Sequence, residues 1–270
     1  MNPPRVNILG VGISAVTMKD ALAQISQWIE SAERHYVSVC NVHTIMECQK
    51  DEVMRRAVNG AGMATPDGMP LVWLNKLQSQ VDVSRVYGPD LMLALCGLSV
   101  GRGYSHYFYG GAEGVPELLA ENLQRQCPGL KVTGAYSPPF RPLTHSEDEQ
   151  IIERINQAAP DIVWVGLGTP KQDLWMAAHR AQLAASVLIA VGAAFDFHTG
   201  RVPQAPNWMQ QLGLEWVFRL VQEPKRLWYR YLVYNPLFVL LVLAQALGIR
   251  RFSITKDHAA LHYSKPRTNR

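Results

Sequence analysis

The sequence predicts an α/β fold, in which a mostly parallel β-sheet has helices on both faces and is followed by a helical, basic and aromatic C-terminal appendage. Two observations predict the sheet. Short apolar runs rich in β-branched and aromatic residues alternate with longer segments of helical periodicity. The 270 residues are 48% apolar and 18% charged, so the chain can bury a substantial core and is neither disordered nor collagen-like.

Six runs are predicted as strands because they are short, apolar and bounded by polar or glycine-containing segments. They cover residues 6–13, 36–42, 105–109, 131–135, 161–166 and 187–191. Five further segments have helical character. They cover residues 18–32, 70–77, 115–126, 147–157 and 172–183. We expect the first helix to begin at a capping box formed by Thr17 and Asp20.

Polar segments follow apolar runs at residues 40–44, 64–68, 165–172 and 192–196. Ligands bind at the carboxyl ends of strands in an open parallel sheet, so we expect these segments to meet in one site. Asp67 lies in a Pro-Asp-Gly turn, and a carboxylate there, near Asn41, can take a proton from an incoming hydroxyl. The alternative is a turn or helix-capping aspartate. Asp196 has the same two interpretations.

The segment GLGTPKQD, at residues 166–173, follows a predicted strand and opens a helix, with Pro170 expected at the first helical position. Free N–H groups at a helix start can hold a phosphate, and Lys171 can add positive charge for a diphosphate. Alternatively, Thr169 and Gln172 form an ordinary capping box and the glycines only make a tight turn. The third glycine of a dinucleotide-binding fingerprint is missing.

No metal and no cofactor are expected. The four cysteines lack the spacing of a zinc site and are interpreted as reduced thiols. His258 and His262 are four residues apart, but their surroundings are polar and supply no third ligand. The sequence also contains no Asp-x-Asp pair that could hold a divalent ion.

Positive charge is concentrated at the C-terminal end. Residues 200–270 carry 11 basic and 3 acidic side chains, whereas residues 1–199 carry 15 and 19. Arg219, Arg226 and Arg230 share one face if the segment stays helical, with Pro224 as the position of an expected kink. The apolar run 237–249 is shorter than the roughly 20 residues that span a bilayer. We therefore expect an interfacial helix on an anionic membrane surface and no nucleic-acid partner. Alternatively, these side chains pack on the core or on a second subunit.

The predicted organisation is a catalytic domain at residues 1–205, the appendage at residues 206–250 and a flexible tail at residues 251–270. The first apolar stretch is interrupted by Gly10 and Gly12 and is too short for a signal-peptide core. We therefore expect a cytoplasmic protein that binds peripherally to the inner face of the cell membrane.

Nine motifs follow one another between about residue 6 and residue 249: NILGVGISAVTMKDAL, NVHT, ATPDGMPLVW, SRVYGPDLM, YFYGG, VGLGTPKQDLW, GAAFDFHTG, RVPQAPNWMQQLGLEW and RLVQEPKRLWYRYL. In this order they resemble the WecG/TagA/CpsF family of bacterial glycosyltransferases. The resemblance implies a Rossmann-like domain that binds a UDP-sugar donor. It also implies inverting, metal-independent transfer of the sugar to a polyprenyl-diphosphate-linked sugar acceptor.

The resemblance places the family's catalytic base on Asp67, and its pocket asparagine, arginine and glutamine on Asn41, Arg85 and Gln172. We add further substrate-binding candidates from the same polar segments. They are Thr44, Gly168, Lys171 and Asp196. The arginines at positions 219, 226 and 230 are expected to contact the membrane surface or the lipid diphosphate.

Within the family, SPPFRPLT and PDGMPLVW are most similar to the exopolysaccharide branch, which includes the xanthan-type β-1,4-glucosyltransferase. We therefore expect a hexose donor. Many relatives carry Thr-Pro-Asn where this chain has Val39-Cys40-Asn41, so a threonine hydroxyl is missing here. The alternatives are an N-acetylmannosaminyl- or N-acetylmannosaminuronyltransferase and a non-catalytic UDP-sugar-binding assembly module. A homo-oligomer is left open.

Overall fold

The computed structural model describes residues 3–254 and confirms the α/β fold. Its strands are β1 (Arg5–Ile8), β2 (Val11–Ser14), β3 (His35–Cys40), β4 (Met63–Pro66), β5 (Ser105–Gly110), β6 (Lys131–Tyr136), β7 (Ile162–Gly166) and β8 (Val187–Ala190). Six of them form a sheet in the order β4-β3-β8-β7-β5-β6. Every neighbouring pair in this sheet is parallel, so the carboxyl ends of its strands share one edge.

Two predictions about strands were wrong. Residues 6–13 form not one strand but the antiparallel hairpin of β1 and β2. Leu9 and Gly10 make its turn with φ of 52° and 80°, and positive φ at both central residues suits the twist of a tight hairpin. The pattern also missed β4, which has four residues and ends in Pro66. It lies at the edge of the sheet, where proline is tolerated.

The first nine helices follow the strands singly or in pairs. They are α1 (Met18–Glu30), α2 (Val42–Lys50), α3 (Glu52–Gly60), α4 (Met69–Gln78), α5 (Gly88–Arg102), α6 (Val115–Gln126), α7 (His145–Ala158), α8 (Lys171–His179) and α9 (Ala194–His198). The predicted capping box of α1 is present, because the Asp20 N–H donates to Thr17 Oγ1 at 3.2 Å and the Thr17 N–H donates to Asp20 Oδ2 at 2.9 Å. The pattern missed α2, α3, α5 and α9.

The sheet has an apolar core on each face. One core contains side chains of α1, α5, α6 and α9, and it includes the almost fully buried Trp28 and Trp164. On the opposite face, α2, α3, α7 and α8 supply the apolar side chains. The central strands β7 and β8 are therefore buried on both faces, which fixes the sheet and leaves the loops at its carboxyl edge available for a site.

The appendage contains α10 (Asn207–Gln211), α11 (Glu215–Gln222), α12 (Pro224–Trp228), a π-helical turn (Tyr229–Val233) and α13 (Tyr234–Ala246). From Pro224 onwards these form one continuous helix of 23 residues, so the apolar helix is longer than the 13-residue run that the sequence pattern indicated. The π-helical turn lies just before Pro236, where a regular helix would lose a hydrogen bond. By length and composition alone, this helix is the one among residues 3–254 that could cross a membrane.

One face of this helix packs on the core. Tyr234 and Phe238 are buried in an apolar cluster with the β1–β2 hairpin and α2. The Tyr234 hydroxyl donates to Glu47 at 2.7 Å. Gln245 accepts from the Leu9 N–H at 2.9 Å and donates to the Asn7 carbonyl at 3.0 Å. The packing alternative is therefore correct for this face, while the opposite face exposes apolar side chains.

Residues 251–254, at the start of the segment that was expected to be a flexible tail, contact the core. The Phe252 carbonyl accepts a hydrogen bond from Asn7 Nδ2 at 2.7 Å. Residues 255–270, including His258 and His262, lie outside the described residues. The division into domains at residues 205 and 250 remains a prediction.

The packing of α13 on the core predicts unequal effects of two substitutions in the same helix. Phe238 is 4% exposed, so Phe238→Ala should lower the free energy of unfolding by about 3 kcal/mol. Leu240 is 63% exposed, so Leu240→Ala should change it by less than about 0.5 kcal/mol. Urea denaturation measures both. Equal effects of the two variants would contradict the described packing.

Candidate active site

A cleft of about 2220 Å³ opens at the carboxyl ends of the strands and extends to the appendage. Ten of the eleven site residues predicted from the sequence line it. They are Asn41, Asp67, Arg85, Gly168, Lys171, Gln172, Asp196, Arg219, Arg226 and Arg230. The exception is Thr44. The sheet therefore brings together polar segments that are far apart in the sequence.

Asp67 follows β4 directly and is held in the cleft by its main chain. Its N–H donates to the Cys40 carbonyl at 2.8 Å, and its carbonyl accepts from Arg85 Nε at 2.6 Å. The capping alternative is wrong, because α4 begins after Gly68 and no side chain caps it. Asp67 Oδ2 accepts from Asn41 Nδ2 at 3.5 Å, whereas Oδ1 is buried without a hydrogen-bond partner among the described residues. Oδ1 is therefore available to accept from the hydroxyl of a ligand.

Asn41 is oriented by the start of α2. Its Oδ1 accepts from the Thr44 N–H at 3.3 Å, and Thr44 Oγ1 accepts from the Asn41 N–H at 3.3 Å, so the two residues form a capping box. This leaves Asn41 Nδ2 pointing to Asp67. Thr44 is 1% exposed and does not line the cleft, so its predicted contact with substrate is corrected to support of Asn41.

Arg85 joins the core to the appendage. Its Nη2 lies 2.6 Å from Glu215 Oε2, at the start of α11, and 3.6 Å from Asp67 Oδ1. Tyr87 donates to Glu215 Oε1 at 3.0 Å, and its ring lies 3.9 Å below the Arg85 guanidinium. Glu215 and Tyr87 are not among the site residues predicted from the sequence. An acidic residue isolated in the basic segment was the available signal for Glu215.

Burial raises the pKa of Asp67 to about 6. The positive charge of Arg85 lowers this pKa and the negative charge of Glu215 raises it, with smaller lowering effects from Asn41 and Arg230. A carboxyl group with this pKa is ionised at neutral pH. It is also a stronger base than an ordinary aspartate, which suits the removal of a proton from a hydroxyl.

His43 also lines the cleft and is the other candidate base. Its ring stacks on Tyr234 at 5.8 Å between centroids. Burial, followed by the positive charges of Arg230 and Lys50, lowers the pKa of His43 to about 3. The imidazole is therefore neutral and binds a proton weakly, so Asp67 is the better base.

The GLGTPKQD loop is braced from within. Gln172 Oε1 accepts from the N–H of Gly168 and from the N–H of Gly192, each at 3.1 Å, and thereby ties the loop after β7 to the loop after β8. The Gly168 N–H is therefore not free for a phosphate. Pro170 lies one residue before α8, and no side chain caps this helix, so the Thr169–Gln172 capping box is also absent.

Basic side chains of the appendage reach into the cleft. The Nε atoms of Arg219 and Arg230 are buried without a hydrogen-bond partner among residues 3–254, whereas Arg226 donates to Glu223 at 2.6 and 2.5 Å. Lys171, on the opposite element α8, lies over the Phe140 ring at 5.4 Å. An anion that enters the cleft therefore meets guanidinium donors that the described residues leave unpaired.

Asp196 lies at the cleft with its side chain 42% exposed, and its Oδ1 is 3.9 Å from Arg201 Nε. The alternative was that Asp196 caps the turn that leads to Gly200. In that turn the Asp196 main-chain carbonyl accepts from the N–H groups of Arg201 and Val202 at 3.0 and 3.3 Å. Among residues 3–254, no group of three or more His, Cys, Asp or Glu side chains could hold a metal ion.

The family model of the WecG/TagA/CpsF glycosyl transferases matches residues 6–252, which is nearly the whole chain. The chain belongs to this family. The family is one of glycosyltransferases, so the protein is an enzyme of that class.

Two curated members of the family are similar to this chain over most of their length. Both are named N-acetylglucosaminyldiphosphoundecaprenol N-acetyl-β-D-mannosaminyltransferase. The protein from Bacillus subtilis (strain 168) is 28% identical in an alignment of 247 residues, and the alignment covers 87% of this chain and 93% of the relative. The protein from Bacillus spizizenii (strain ATCC 23059 / NRRL B-14472 / W23) is 27% identical over 216 residues, 80% and 81% of the two chains.

The position of Asp67 predicts that its carboxylate is needed for turnover. Asp67→Asn keeps the size of the side chain but removes the base, so sugar transfer should fall at least about a hundredfold while the protein stays folded and still binds UDP. Asp82→Asn is the matched control, because Asp82 is exposed and does not line the cleft. Normal turnover of Asp67→Asn would show that the base lies elsewhere.

Proposed function

We propose that the protein transfers a sugar, with inversion at the anomeric carbon, from a UDP-sugar to a hydroxyl of a polyprenyl-diphosphate-linked sugar. The observation that carries this proposal is that Oδ1 of Asp67 is buried without a hydrogen-bond partner among the described residues, in the same cleft as the Nε atoms of Arg219 and Arg230, which likewise have none. A base for a hydroxyl and donors for a diphosphate are the two groups that such a transfer requires.

The reaction is a single displacement. Asp67 takes the proton of the acceptor hydroxyl while its oxygen forms a bond to C1 of the donor sugar, and the bond from C1 to the UDP oxygen breaks. The leaving diphosphate gains negative charge, which Lys171 offsets, while Arg219 and Arg230 face the diphosphate of the acceptor. We do not assign this role to Arg85, the arginine that the resemblance places in the pocket. Its guanidinium is occupied by the Asp67 carbonyl and by Glu215.

The names of the two Bacillus relatives favour N-acetylmannosamine as the transferred sugar, which was the alternative to the expected hexose. We propose this donor first. A hexose remains the second candidate because of one observation. Val39, at the position where many relatives have threonine, lines the cleft with an apolar side chain and supplies no hydroxyl to an acetamido group.

We further propose peripheral attachment to the inner face of the cell membrane. The relatives are named for substrates linked to undecaprenol, a membrane lipid. The appendage supports the proposal because it combines basic side chains with exposed apolar ones, among them Trp228, Leu232 and Leu240. Anionic headgroups attract the basic side chains, and the apolar boundary of the bilayer accommodates the exposed apolar side chains.

Product formation tests the proposed transfer. The purified chain is incubated with prenyl-diphosphate-linked N-acetylglucosamine or glucose and with UDP-N-acetylmannosamine or UDP-glucose, with and without excess EDTA. We expect a disaccharide product from UDP-N-acetylmannosamine at the same rate with EDTA, because Lys171 rather than a metal ion offsets the charge of the leaving group. Product from UDP-glucose alone would favour the second donor. UDP binding without product, or a rate that EDTA abolishes and magnesium restores, would contradict the proposal.

A further inference from the structure

The cleft continues past the polar site to an apolar opening. Several of its lining side chains are apolar and at the same time between 48% and 82% exposed. They are Trp73 and Leu77 on α4, Leu212 after α10, and Val239 and Leu243 on α13. Leu74 and Phe238 line the same region and belong to the core cluster beneath it. Exposed apolar side chains clustered in a cleft mark a site for an apolar ligand.

A single helix relates this opening to the polar site. Arg230 is close enough to Asp67 to influence the pKa of its carboxyl group, and Leu243 follows 13 residues later in the same continuous helix. At 1.5 Å per residue, the two positions are about 20 Å apart along the helix axis. The cleft therefore offers a carboxylate, then guanidinium groups, then an apolar wall. A sugar, a diphosphate and a hydrocarbon chain follow one another in the same order in the acceptor.

We propose that the groove between α4 and α13, lined by Trp73, Leu77, Val239 and Leu243, holds the first isoprene units of the acceptor's prenyl chain. This inference rests on the proposed function. The remaining apolar face of α13 lies outside this groove. Leu240 is exposed but does not line the cleft, so it can contact a bilayer and not a prenyl chain in the groove.

Binding of farnesyl diphosphate and of inorganic diphosphate tests the groove without turnover. Leu243→Gln should weaken farnesyl diphosphate binding about tenfold, because the prenyl chain no longer covers an apolar side chain at this position, and leave inorganic diphosphate binding unchanged. Leu240→Gln, on the same helix and similarly exposed, should change neither. Equal weakening by both variants, or none by Leu243→Gln, would overturn the proposal. If the three proteins bind the two ligands as expected but the unmodified protein forms no product from any UDP-sugar, the proposed function is contradicted and the groove is not.

A second inference concerns Glu215, which the proposed reaction does not use directly. Arg85 donates to the Asp67 carbonyl through Nε and to Gln210 Oε1 through Nη1, and its Nη2 faces the carboxylates of Asp67 and Glu215. The shorter contact is to Glu215, at 2.6 Å against 3.6 Å. The appendage thus holds the guanidinium just beyond hydrogen-bond distance of Asp67 Oδ1.

We infer that Glu215 is a positioning residue, which keeps Arg85 from pairing fully with Asp67 and so leaves Oδ1 for the acceptor hydroxyl. The charged groups around Asp67 are Arg85, Glu215 and Arg230, and Asp90 also interacts with Arg85. Without the charge of Glu215, the positive neighbours act on Asp67 with less opposition. The pKa of Asp67 then falls, and its carboxylate becomes a weaker base.

The pH dependence of kcat/KM separates this role from a structural one. In Glu215→Gln, the acidic limb should move to lower pH, and kcat at neutral pH should fall roughly threefold or more because the base is weaker. Glu30→Gln is the matched control. Glu30 also accepts from a tyrosine, Tyr104 at 2.9 Å, and pairs with Arg102, but it does not line the cleft. A uniform loss at every pH with the limb unmoved, or an unchanged profile, would overturn the inference.

Discussion

The site depends on one buried cluster of charges where the α/β core meets the appendage. A single guanidinium, that of Arg85, serves the main chain of Asp67, its carboxylate and the carboxylate of Glu215. Burying unpaired charges is costly, and removing one member of such a cluster leaves the others uncompensated. The core supplies two members and the appendage supplies the third. The charge balance around the base is therefore complete only when the appendage is folded onto the core.

The same arrangement explains why the basic residues are concentrated at one end of the sequence. The α/β core supplies the Asp67 carboxylate and the oriented amide of Asn41, while the appendage supplies Arg219 and Arg230, which no described residue pairs at Nε. An acceptor with a sugar, a diphosphate and a hydrocarbon chain needs all three kinds of surface in one cleft. One long helix joins the basic and the apolar surface, and its packing on the hairpin and α2 fixes both relative to Asp67.

Local sequence pattern predicted those parts of the fold in which a single short apolar run is enough to form a strand. The buried strands β3, β5, β7 and β8 are such runs, and the rule for parallel sheets then placed Asp67 and Asn41 at one edge. Local pattern failed where the role of a side chain depends on residues that are distant in the sequence. The Thr44 hydroxyl is used by a cap, and Glu215 meets Arg85 across 130 residues of sequence. No periodicity within a segment encodes that pairing, although its isolated negative charge indicated that a partner exists.

The central claim is that the carboxylate of Asp67, made more basic by burial, removes the acceptor proton. The pH dependence of kcat/KM in the unmodified enzyme tests it most directly, over about pH 5 to 8. The base must be ionised, so the rate should fall as the pH decreases through the pKa of Asp67, with its midpoint at about 6. A rate that stays constant across this interval would contradict the claim.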